Sequence, residues 1–139
     1  MNSPLTPEIS RVGPYRLLGE LGRGGMGAVF RAVRDDHALD REVALKLVDP
    51  GIASDGALRR FRAEREILAR LQHPNIAALF DGGTTEDGRP YLVMELVAGR
   101  PLDTHCAEHS AATRERLALF RTVCEAVHYL HQNLWSTAT

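Results

Sequence analysis

Three glycines stand at Gly22, Gly24 and Gly27 in the stretch GRGGMGAV, with Gly25 between them. This is G-x-G-x-x-G, a spacing suited to folding a backbone over phosphate, because peptide N–H groups approach an anion closely where no Cβ intervenes. Alone the pattern is a weak signal, since glycine-rich turns are common. Lys46 follows in the run VALK, nineteen residues after Gly27. The chain has sixteen arginines and this single lysine, so arginine supplies the ordinary cations and Lys46 stands apart. A lysine beside Val43 and Ala44 on a half-buried strand is costly unless its ammonium meets an anion. A solvated lysine on an edge strand is the plainer alternative. Two carboxylates are candidates for a partner, Glu64 and Glu66. At about 100° per helical residue, Glu64 falls within the stripe of Phe61, Ile67, Leu68 and Leu71, whereas Glu66 falls with Arg59 and Arg70. Glu64 is therefore expected to point at the sheet and pair with Lys46, and Glu66 to be a surface charge.

The elements that must position these residues are legible from periodicity. YRLLGEL, AVFRAVRD and REVALKLVD are short, β-like runs bounded by glycines and by the turn RDDHALD. In the second run, alternation puts Val29, Arg31 and Val33 on one face and Ala28, Phe30 and Ala32 on the other. A helix follows, capped by Ser54 or Asp55 and ended before Pro74. Two more strands, IAALFDGG and RPYLVMELV, flank the turn GGTTEDG. From about Pro101 the chain reads as helical, with Leu117, Phe120, Val123, Val127 and Leu130 at spacings of three and four. The order is not a strict strand–helix alternation, so the expected class is α+β, with an antiparallel sheet of about five strands and one packed helix, followed by helices. Because a strand and not a helix follows the glycines, they close a hairpin and do not form a dinucleotide-binding turn.

Composition narrows the classes. Apolar residues make up 44% and charged residues 25%, an ordinary globular balance. The net charge of −1 offers no reason to expect nucleic acid as partner. No apolar run is long enough to span a membrane, and the start MNSPLTPEISRVGPY lacks the pattern of a signal peptide. Cys106 and Cys124 suit neither a disulfide framework nor a zinc site, and Cys124 reads as a small core hydrophobe. A cytoplasmic setting is expected. His128 and His131 share a helix face without acidic or cysteine partners, and His73 reads as part of the HPN turn.

LGRGGMGAVFRAV, REVALK, RFRAEREILARLQHPNI and YLVMELVAG together resemble the amino-terminal lobe of a bacterial, eukaryotic-like serine/threonine protein kinase. The resemblance runs from about residue 15 to 133. It implies a kinase-like lobe over 14–98 after a leader at 1–13, and the start of a helical carboxy-terminal lobe over 99–133. It implies ATP as ligand, with Gly22, Gly24, Gly25 and Gly27 over the phosphates and Lys46 holding the α- and β-phosphates while paired with Glu64. Leu21, Val29 and Ala44 would wall the base, Met94 would be the gatekeeper, and the backbone of Glu95 and Val97 would bind adenine. Protein substrates are implied for an intact kinase.

In the family, HQNL is followed by a stretch like VVHRDLKPSN, which supplies the base Asp and a magnesium-binding Asn. Here the chain reads WSTAT, Trp135 to Thr139. GC-rich codons for V-V-H-R-D-L-K, read after losing their first base, spell W-S-T-A-T and a stop. The segment 134–139 is therefore expected to be an out-of-frame tail, and these residues alone to lack phosphotransfer, with the catalytic Asp and the Mg2+ ligands absent. The alternatives are a non-catalytic half-kinase that binds nucleotide or a partner, and a decayed gene product without a stable fold.

Overall fold

The computed structural model describes residues 11–35, 41–49, 51 and 55–135. The elements run β1 (Arg11–Val12), β2 (Tyr15–Gly24), β3 (Gly27–Arg34), β4 (Glu42–Val48), α1 (Asp55–Arg70), β5 (Leu79–Thr84), β6 (Pro90–Glu95), α2 (Leu102–Glu108) and α3 (Thr113–Trp135). The strands form one curled sheet in the order β1-β2-β3-β4-β6-β5, with every neighbouring pair antiparallel. The α+β class and the strand–helix–strand–helix order are as the periodicity requires.

Period-two alternation sorts the side chains onto two faces. Phe30 stands across from Leu45 and Ala32 from Val43, while Leu45 pairs Val93 and Leu47 pairs Tyr91. Ala32, Val43, Leu45, Leu47, Tyr91 and Val93 join Val12 and Tyr15 in one buried cluster, against which Leu17 and Phe30 pack. Leu45, Val93 and Ala32 are fully buried. Burial of each large aliphatic side chain here contributes about 1.5–3 kcal/mol. The other face carries Val29, Ala44, Lys46, Leu92 and Met94.

The first strand pair has its own lock. The Tyr15 hydroxyl donates to Asp81 Oδ2 at 2.9 Å, although the two lie on β2 and β5. Burial, reinforced by that carboxylate, pushes the Tyr15 phenol up to about 12 from 10.0. The Tyr91 ring meets Tyr15 edge-on, with centroids 6.4 Å apart. At the outer edge, Arg16 and Arg11 both bind the Asp35 carboxylate and hold its pKa below the usual carboxylate value.

Three expectations change. The sheet has six strands, because Arg11–Val12 pairs with Tyr15–Arg16. Val12 is 2% exposed, so the ordered lobe reaches back past the residue-13 boundary; two residues are too few to show alternation, so patterning does not reveal this strand. At the other end α3 continues to Trp135, beyond the boundary at 133. Residues 1–10 of the leader, most of the RDDHALD turn, the expected cap Ser54 and tail residues 136–139 lie outside the described residues.

The chain divides into two compact units, residues 1–65 with 79–96, and residues 66–78 with 97–139. The end of α1 and the HPN turn belong to the second unit. In that unit the Gln72 N–H donates to the Tyr129 hydroxyl at 2.8 Å, and the His73 ring lies against Tyr129 with centroids 5.0 Å apart. The Asn75 N–H donates to His73 Nδ1 at 3.0 Å, so His73 shapes the turn as read from the sequence. The α3 stripe is largely uncovered, with Leu117 at 62% and Phe120 at 64% exposure. Cys124 beside it is exposed too, a correction of the expected core position: the apolar stripe it flanks is itself uncovered.

Candidate functional site

The glycine-rich segment closes β2 onto β3 through the two-residue loop Gly25–Met26, with Gly24 opposite Gly27. Its glycines fall into two physical groups. Gly27 has φ +153°, and a Cβ there would lie 2.0 Å from the Leu47 carbonyl oxygen on β4, so no side chain fits. Gly22, Gly24 and Gly25 have open space, with nothing within 4 Å of the Cβ each lacks. Packing explains Gly27 and does not explain the other three. The register of β2 on β3 slips between Leu17 and Gly19 and between Glu20 and Gly22, bulges that add twist to the strand entering the loop.

Behind this hairpin, Lys46 stands opposite Val29 on β3 and opposite Leu92 on β6. Its neighbours Ala44, Leu45, Leu47 and Val48 are all buried, whereas Lys46 itself is half-buried. Among the described residues no carboxylate lies within ion-pair distance of its ammonium. Ala44 pairs with Met94 on the same face, and Val29 and Met94 are half-buried. Val29, Ala44, Lys46 and Met94 thus form a shallow apolar floor around one cation. Leu21, at 53% exposure, precedes the glycines on β2. Glu95 ends β6 opposite Val43, while Val97 is exposed and begins the second unit.

The expected Lys46–Glu64 pair is not formed. Glu64 is exposed and, among the described residues, the part of α1 in the first unit buries Phe61 alone, at 3% exposure, so the inward stripe is narrower than the helical wheel suggested. An ionised carboxylate stays in water unless a cation compensates its desolvation. Arg65 of α1 does reach the sheet, its Nε lying 3.2 Å from the Cβ position of Gly82 on β5.

A network behind the hairpin has no counterpart in the sequence reading. The Asp49 N–H donates to the Met26 carbonyl at 3.0 Å, and Asp49 Oδ1 lies 3.5 Å from Arg89 Nη2 and 3.9 Å from Arg23 Nη1. Arg89 Nε also donates to the Val48 carbonyl at 2.9 Å. The sequence marks Asp49 only as the residue ending the β-like run REVALKLVD; its partners are distant in the chain and carry no local signal.

The protein kinase domain family matches residues 15–135. This chain belongs to the protein kinase family. Its similarity is to bacterial serine/threonine kinases: 37% identity over 123 residues to serine/threonine-protein kinase PrkC of Bacillus subtilis, covering 87% of this chain and 18% of that protein. PknA of Mycobacterium tuberculosis is 45% identical over 97 residues, covering 66% of this chain and 22% of its own. Among solved structures, the Mycobacterium tuberculosis PknI kinase domain matches with TM-score 0.68 and 31% identity, over 88% of this chain and 50% of that one. The chain therefore spans half of that kinase domain and about a fifth of its curated relatives. Kinases of this family use ATP and Mg2+. The open glycines and the half-buried Lys46 fit a nucleotide's phosphates. A magnesium ion does not fit in the same way: among the described residues no group of three His, Cys, Asp or Glu side chains could hold a metal.

Proposed function

We propose that these residues are the ATP-binding portion of a serine/threonine protein kinase whose whole chain transfers the γ-phosphate of ATP to protein hydroxyls. The observation that carries the reading is Lys46, a half-buried ammonium with no carboxylate partner among the described residues, on a face shared with Val29, Ala44 and Met94. Left unpaired, a half-buried cation is unfavourable; an anionic ligand removes that cost. The open positions at Gly22, Gly24 and Gly25 let peptide N–H groups approach the same anion.

Bound ATP would supply the phosphoryl group. The residues here bind and orient it. Lys46 holds the α- and β-phosphates, the glycine hairpin covers them, and Leu21, Val29 and Ala44 wall the adenine ring. Met94 limits the depth of the base pocket, and the backbone of Glu95 reads the edge of adenine. Transfer itself needs a base and metal ligands, and the 139 residues contain neither a His-Arg-Asp nor an Asp-Phe-Gly sequence. Binding without phosphotransfer is therefore the activity assigned to these residues alone.

Calorimetric titration of the 139-residue chain with ATP and with adenosine tests the reading. Saturable binding of both, tighter for ATP, is expected. Absence of binding by either at millimolar ligand would overturn it.

A further inference from the structure

Beyond the β3–β4 ladder that runs up to Gly27 opposite Val48, the tip of the glycine-rich hairpin is held by a residue that belongs to neither of its strands. Asp49, just past the end of β4, reaches it twice: through its N–H to the Met26 carbonyl at 3.0 Å and through its carboxylate to Arg23 at 3.9 Å. Arg23 is also bound by Glu20, its Nε donating to Oε1 at 2.9 Å, so both charged partners of Arg23 hold it back along the sheet. The same carboxylate oxygen is met by a second arginine. Arg89 Nη2 lies 3.5 Å from Asp49 Oδ1, and its Nε donates to the Val48 carbonyl at 2.9 Å. With 13% of its side chain exposed, Arg89 is far less solvated than Arg23 at 58%.

Arg89 has a firm base of its own. It closes the β5–β6 hairpin, where the Thr85 N–H donates to the Arg89 carbonyl at 2.8 Å and the Arg89 N–H to the Thr85 hydroxyl at 2.9 Å. Gly88 supplies the φ of +87° that this turn needs. A well-ordered turn thus grips Asp49, and Asp49 grips the tip of the glycine hairpin. An exposed Arg23–carboxylate pair alone would contribute little. Its effect here is positional, because one carboxylate bridges two arginines from separate hairpins.

We infer that Asp49, braced by Arg89, is a positioning residue that fixes the glycine-rich hairpin over the sheet and so sets how strongly the chain holds a nucleotide's phosphates. This rests on the nucleotide-binding reading for its consequence but not for its geometry. Asp49 touches no phosphate in this account; it acts through Met26 and Arg23.

Two readouts on the full chain separate the geometry from the consequence. The first is amide hydrogen exchange without nucleotide, in Asp49→Ala, in the isosteric Asp49→Asn and in Arg89→Ala. Exchange at position 49 and at Met26–Ala28 should quicken by about tenfold, while Leu45 and Leu92 in the sheet centre keep their protection. Unchanged exchange at the hairpin in Asp49→Asn and Arg89→Ala overturns the inference, whatever nucleotide does. If Asp49→Ala loses protection throughout, it has unfolded, and the isosteric variant decides. The second readout is titration with ATP and adenosine. Affinity for ATP should fall by about tenfold while affinity for adenosine stays within about twofold. Equal losses for both ligands would assign Asp49 a merely structural role and overturn it. Failure of the unaltered chain to bind either ligand would instead reject the nucleotide reading, leaving the exchange result to judge the brace.

Discussion

The Leu47 carbonyl oxygen occupies the space that a Cβ on Gly27 would need, 2.0 Å from its position. Gly27 is thereby fixed by the fold, while Gly22, Gly24 and Gly25 are left free of any packing demand. The two kinds of glycine should separate by experiment. Gly27→Ala is expected to destabilise by about 2–4 kcal/mol, through backbone displacement of β3 from β4. Gly24→Ala should change stability by less than about 1 kcal/mol and weaken ATP binding. Urea unfolding of the two variants beside the unaltered chain checks the contrast.

Glu64 provides a second test. It is exposed and forms no pair with Lys46, so Glu64→Gln should leave stability within about 0.5 kcal/mol of the parent. A loss above about 2 kcal/mol would mean that the carboxylate is compensating a buried cation after all. Thermal or denaturant unfolding reads this directly.

The Tyr15–Asp81 hydrogen bond predicts alkaline behaviour. The folded-state pKa of Tyr15 is raised, from 10.0 to about 12. Its contribution to stability is therefore fully present below pH 10.0 and is lost as pH rises towards about 12, because the unfolded phenol ionises first. Tyr15→Phe should be less stable at neutral pH and should flatten the decline across that window. Unfolding midpoints measured at intervals between neutrality and the upper end of the window check the sign.

The stripe on α3 predicts self-association. Leu117 and Phe120 are 62% and 64% exposed, with Val123 and Val127 continuing the patch. Leu117→Gln with Phe120→Gln should shift sedimentation from aggregates towards monomer with little change in melting temperature. Equal aggregation in the double variant would place the liability elsewhere.

How much of this was legible in the sequence depends on whether the signal was local. Val43, Leu45 and Leu47 alternate with Ala44 and Lys46, so β4 and its two faces follow from period two alone. The glycine spacing marked the hairpin for the same reason. Arg11–Val12 is too short to carry a period, and its strand exists because Val12 drops into the core formed by distant residues. Glu64 failed for a different reason. A helical wheel gives relative angles, not the depth to which α1 sinks, and among the described residues only Phe61 is buried in the part belonging to the first unit. The Asp49–Arg89 bridge joins residues forty apart in the chain and depends on two hairpins meeting, which no local pattern encodes.

The most direct test of the account is the ATP affinity of Lys46→Met, measured beside its affinity for adenosine. Methionine keeps most of the length of the side chain and removes the charge, so the sheet should stay folded. ATP binding is expected to weaken by about tenfold or more, with adenosine binding retained. Undiminished ATP binding by this variant would contradict the assignment of Lys46 to the phosphates and, with it, the central claim.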